Sequence, residues 1–189
     1  MINQVILWAM GTFTKDEINT PVLLQGDVTA AVSISDRKID NMLARLREIV
    51  PNIGARPGKG DRRRFSLADV RFLTVIDTVS KFLGEQEAAK VAMALSSQIH
   101  GIQEFGEDEC LLVEEHSGLP LPPPLVLNAW ESTKYQYVKY KKNPQRLLLT
   151  GLIVPFGQML KRTDEQCRSI LTTRLVRPQL LPQAENLSE

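Results

Sequence analysis

The side chains with the most binding chemistry cluster between residues 35 and 65. Arg37, Lys38, Asn41 and Arg45 stand close together, and Lys59 precedes the run Arg62-Arg63-Arg64. A guanidinium offers paired donors that fit a phosphate or the O6/N7 edge of guanine, and a primary amide fits the N6/N7 edge of adenine. This is recognition chemistry. For bond-making chemistry the chain offers little: its two histidines, His100 and His116, complete no Ser/His/Asp arrangement. Pro57-Gly58-Lys59-Gly60 lacks the spacing of a phosphate-binding P-loop. Glu107, Asp108, Glu109, Cys110, Glu114, Glu115 and His116 resemble a metal cluster in composition only, without a standard ligand spacing, and read as the acidic edge of a strand. Neither an enzyme nor a cofactor nor a metal is expected.

Those cationic residues need elements to position them. Asp27 is suited to cap a short helix, Val28 to Val32, and Ser33-Ile34 makes a turn. Ser35 caps the next helix, in which Ile39, Met42, Leu43 and Leu46 recur at i, i+3, i+4 and i+7. That stripe faces a core and leaves Arg37, Lys38, Asn41 and Arg45 off it. Gly58 and Gly60 allow a tight hairpin tip around Lys59, and Phe65 anchors the strand behind the arginines. One of these arginines can pair with Asp61 or Asp69. Ser66 caps a further helix carrying Leu67, Val70, Leu73, Val75 and Ile76. Another follows, with Glu85, Glu87 and Lys90 outward and Ala88, Val91, Ala92 and Leu95 inward. Helix, turn, helix, basic hairpin, helix is the order of a winged helix-turn-helix.

The run Arg63-Arg64-Phe65-Ser66-Leu67-Ala68-Asp69-Val70, with Leu73 following, resembles the wing-to-helix signature of MerR-type regulators. Val28-Thr29-Ala30-Ala31-Val32-Ser33-Ile34-Ser35-Asp36-Arg37-Lys38-Ile39 is similar to that family's first helix, turn and start of the recognition helix. The resemblance covers roughly residues 23–95. It departs where Asp40, Asn41 and Met42 replace the family's usual basic and aromatic residues, and no long dimerising coiled coil follows. It implies a bacterial or phage-associated transcriptional regulator that binds double-stranded DNA through a recognition helix in the major groove. Arg37 would meet guanine and Asn41 adenine, while Lys38 and Arg45 would meet phosphates. Lys59, Arg62, Arg63 and Arg64 would grip the backbone or minor groove, and Thr29, with Ser35 at the cap, would complete the contact set. A homodimer follows from the family and from half-site logic. An architectural or accessory DNA factor, for recombination directionality or phage packaging, is the alternative, and a protein-interaction adaptor is the third reading.

Length and charge agree once the charge is divided. The chain has 189 residues and a net charge of +1, which by itself argues against a nucleic-acid partner. By segment, however, residues 1–34 carry −2, 35–71 carry +5, 72–118 carry −7 and 119–189 carry +5. The first positive block falls on the expected helix-turn-helix and wing. No apolar run reaches the ~20 residues of a membrane helix, and the start lacks a secretory pattern. A cytoplasmic, nucleoid-associated protein with free thiols and no membrane partner is expected, Cys110 being a buried small hydrophobe.

Beyond the proline-rich stretch Gly118 to Pro124, Leu125 to Trp130 reads as a strand that pairs antiparallel with Leu111 to Glu115. Leu147 to Arg162 reads as core or subunit interface. Tyr135 to Lys142 alternates aromatics with cations and reads as an amphipathic surface, or as a second nucleic-acid contact. The expected fold is mainly α with small β elements: an extension (1–22), a MerR-like winged helix-turn-helix (23–105), an α+β dimerisation or partner-binding module (106–177) and a tail (178–189).

Overall fold

The computed structural model describes residues 13–54, 62–101, 105–114, 124–128 and 151–176. The fold is mainly helical, with two small antiparallel sheets. A short helix α1 (Lys15–Asn19) opens with a capping box, Thr14 and Glu17 each satisfying the other's backbone N–H. The two-residue strand β1 (Leu23–Leu24) leads into α2 (Gln25–Val32), and α3 (Asp36–Leu46) follows after three residues. Ser33 makes that turn possible by adopting a left-handed conformation, with φ of 55°. Ser35 then caps α3, its hydroxyl accepting from the Lys38 N–H at 3.3 Å.

Helix α2 begins earlier than the residue pattern suggests. Asp27 is not its N-cap but sits one turn in, and its Oδ2 accepts the Leu24 N–H at 2.6 Å. Either position satisfies an otherwise unpaired donor of the first turn, so a carboxylate there does not by itself locate the helix start.

Strand β2 (Arg64–Phe65) pairs with β1, Leu23 opposite Phe65 and Leu24 opposite Arg64. Residues 55–61, and with them the expected glycine tip and Lys59, lie outside the described residues. Phe65 is fully buried, as its role as anchor requires. The long helix α4 (Leu67–Leu83) starts at a second capping box, Ser66 with Asp69. It turns at Gly84 into α5 (Glu85–Ala94), and α6 (Ser96–Ile99) follows. Ala88, Val91, Ala92 and Leu95 are all buried, matching the expected inward face.

The second sheet has three strands, with β3 (Glu109–Glu114) in the centre between β4 (Leu125–Asn128) and β5 (Gly151–Val154). Strand β3 pairs antiparallel with β4, Leu111 opposite Val126, as expected of the two segments flanking the proline-rich stretch. On its other edge β3 pairs with β5 (Gly151–Val154). The apolar run from Leu147 is therefore resolved over residues 151–162 into a strand and the start of a helix, the break falling at Pro155. Cys110, near the start of β3, is half-buried rather than buried.

The last described helix, α7 (Phe156–Val176), packs against α2, α4 and β3. One apolar core accordingly runs from Phe13 through Ile39, Leu73 and Leu111 to Leu171. No helix among the described residues is long and apolar enough to cross a membrane.

Candidate nucleic-acid interface

Helix α3 carries the candidate surface. Its core stripe is Ile39, Met42 and Leu46, all buried, with Leu43 half-buried beside them. Opposite that stripe lie Arg37, Asn41 and Ala44, spaced i, i+4 and i+7 and exposed. Neither Arg37 nor Asn41 makes a hydrogen bond or ion pair with another described residue. The outward stripe is therefore chemically unoccupied.

The flanks of α3 are pinned. On the side facing α4 and α5, the Lys38 ammonium pairs with Asp77, which also holds Lys81 at 3.3 Å. Arg45 reaches Glu85 at 3.0 Å. Between α3 and the α4–α5 turn an open groove of about 670 Å³ is lined by Lys38, Arg45, Lys81, Ser80, Glu85 and neighbours. On the side facing β2, Arg63 Nη1 donates to Asp40 Oδ1 at 2.9 Å. Among the described residues the partner of Arg63 is thus Asp40, not Asp69; Asp61 lies outside them. At the helix start the Thr29 hydroxyl donates to Asp36 Oδ1 at 2.5 Å, and Gln25 reaches the Asp36 carbonyl. These contacts tie α2 to α3.

The three consecutive arginines separate by role. Arg62 and Arg64 are exposed, and no described residue pairs with either. The Arg63 side chain is only 19% exposed. Its stem crosses Gly54, where a Cβ would stand 2.6 Å from Arg63 Cδ and 2.7 Å from Phe65 Cε1. Gly54 also has φ of +68°, so the backbone at this crossing suits glycine on two counts. Near Gly54 lies the Asp69 carboxyl, which accepts the Ser66 N–H at 2.8 Å; burial pushes it above its ordinary value against the downward pull of Ser66 and the Gly54 amide. One residue thereby joins the loop after α3, the arginine strand and the start of α4. Nothing in the residue pattern marked Gly54 or Asp40 for these positions; a glycine shortly after a helix was the available signal.

Of the expected contact residues, Arg37 and Asn41 share the free face, and Arg62 and Arg64 are exposed at the end of β2. Lys38, Arg45 and Arg63 are engaged by carboxylates, and Thr29 and Ser35 serve the helix pair itself. Lys59 and the segment Tyr135 to Lys142 lie outside the described residues. Among the described residues no three His, Cys, Asp or Glu side chains come together as metal ligands. His100 is exposed and bonds Asn19 through Nδ1 at 2.6 Å.

The chain matches no protein-family model and no curated protein.

Proposed function

We propose that the chain binds double-stranded DNA, with α2, the Ser33 turn and α3 acting as a helix-turn-helix. The observation that carries this reading is the unoccupied stripe Arg37–Asn41–Ala44 between two flanks held by ion pairs. A rigid helix presenting a free guanidinium and a free amide is suited to the major groove, where such groups read guanine and adenine edges. Exposed Arg62 and Arg64 supply charge for the backbone beside it. The order of elements favours a MerR-like transcriptional regulator, winged by the β2 region and acting on half-sites as a dimer.

The test is retention of a random pool of labelled duplexes at low salt, followed by titration with salt. Arg62→Ala/Arg64→Ala should weaken binding to all sequences and flatten the salt dependence by roughly two counterions. Arg37→Ala should cost about 1–3 kcal/mol and relax the preference at one base position. No retention of any duplex at low salt by a folded protein would overturn the reading and move the face to a protein partner.

A further inference from the structure

We propose that Asp40 is a specificity-determining residue that reads a cytosine, with Arg63 as the residue that positions it. This rests on the DNA-binding reading of α3. The two can fail separately.

Asp40 lies on the flank of α3 that faces β2, adjacent to Asn41 and one turn beyond Arg37. Its side chain is 56% exposed. Arg63 Nη1 donates to Oδ1 only, and Oδ2 has no donor among the described residues. Arg63 is itself held, its stem laid across Gly54. The result is a carboxylate of fixed orientation with one acceptor oxygen open, on the rim of the surface meant to approach DNA.

A bare carboxylate there would be repelled by phosphates. The arginine offsets that charge without covering both oxygens. An ionised carboxylate can only accept hydrogen bonds. Among major-groove edges, cytosine presents its N4 amino donor, whereas adenine places the N7 acceptor beside its amino group and guanine and thymine present acceptors. Cytosine is therefore the base that fits Oδ2. Arg37, Asp40 and Asn41, at i, i+3 and i+4, would read neighbouring positions of one motif.

The experiment is selection from a random duplex pool by the full chain and by three variants: Asp40→Asn, Asp40→Ala and the exchange Asp40→Arg/Arg63→Asp. The wild-type protein is expected to enrich a motif with a cytosine whose replacement weakens binding roughly tenfold. Asp40→Asn should move that position to adenine. The exchange keeps an ion pair between α3 and β2 and should lose the cytosine while retaining the rest of the motif. If Asp40→Ala and the exchange both select the wild-type motif, Asp40 only anchors Arg63 and the proposal is overturned. A wild-type motif without cytosine, or retention without any motif, overturns it while DNA binding stands. No retention at all overturns the parent reading and this one together.

Discussion

Arg174 Nη2 donates to Asp27 Oδ1 at 2.5 Å, joining residues 147 positions apart. The other oxygen of the same carboxylate accepts the Leu24 N–H. One side chain therefore starts α2 and holds the far end of α7, so the last described helix is fastened to the element that supports α3.

The two partners should differ in cost. Asp27 has a side chain only 10% exposed, whereas that of Arg174 is 42% exposed. Asp27→Ala removes both hydrogen bonds and strands the part-buried Leu24 N–H, an expected loss of about 1–3 kcal/mol. Arg174→Ala breaks a partly solvated pair and should cost no more than about 1 kcal/mol. Urea denaturation midpoints of the two variants test the order.

Arg71 is the costliest polar residue to remove. It is 2% exposed, grips Asp164 through Nε at 2.8 Å and Nη2 at 2.6 Å, and donates from Nη1 to the Ile99 and Gly101 carbonyls. Its guanidinium also stands 4.9 Å over the Phe105 ring. Arg71→Ala should cost about 3–5 kcal/mol, because it removes the main partner of the largely buried Asp164 carboxylate and the donor to the Ile99 and Gly101 carbonyls. Arg71→Lys should rescue little, since one ammonium cannot reproduce the fork. Both are read from thermal unfolding.

The same pair makes a pH prediction. Burial pushes the Asp164 carboxyl above its ordinary value, outweighing the downward pull of Arg71. The folded protein then holds this proton more tightly than the unfolded chain. Its contribution to stability is fully present below the ordinary carboxylate range and is lost as pH rises through the folded value. Asp164→Asn removes this opposing fall, so stability should rise more steeply with pH across the acid limb than in the unsubstituted protein, and an unchanged slope in urea titrations between pH 3 and pH 6 would reject this.

Local chemistry carried most of what was legible in the residue pattern. Ser35 and Ser66 cap helices because a short acceptor before an apolar period has few other uses, and Phe65 is buried because nothing else anchors β2. The outward placement of Arg37 and Asn41 followed from periodicity alone. Pairings set by the fold were not legible. Asp61 and Asp69 are nearer to Arg63 in sequence than Asp40, yet the β1–β2 pairing and the crossing at Gly54 bring Arg63 to α3. Arg71 counted as one more cation of a basic segment, its partner Asp164 lying 93 positions away. The run from Leu147 was apolar without a clear period, so strand β5 could not be told from a buried helix.

The two thiols should separate cleanly. Cys167 is buried and its thiol is pushed up to about 12, first by burial and then by Asp164, while Cys110 is half-buried. In the native protein at pH 8 an alkylating reagent should modify Cys110 and spare Cys167, and denaturation should expose both. Above the ordinary thiol value of 9.0 the unfolded chain loses a proton that the folded one keeps. Stability should therefore fall from there toward about pH 12, by up to about 1.4 kcal/mol per pH unit from this group.

Gly157 tests the seat of α7. A Cβ at this position would lie 1.8 Å from the Gly106 carbonyl oxygen, a backbone atom that no side-chain rotation can move aside. Gly157→Ala must therefore lift the start of α7 off the turn before β3, disturbing the edge-to-face contact of Phe105 with Phe156 at 5.7 Å. The expected loss is roughly 2–4 kcal/mol, the scale of overpacking and displaced core contacts. Gly26→Ala is the matched control, because a Cβ there meets nothing within 4 Å, and in α2 it should stabilise by about 0.5–1 kcal/mol. Equal melting temperatures for the two variants would rule out the close approach of α7 to residue 106.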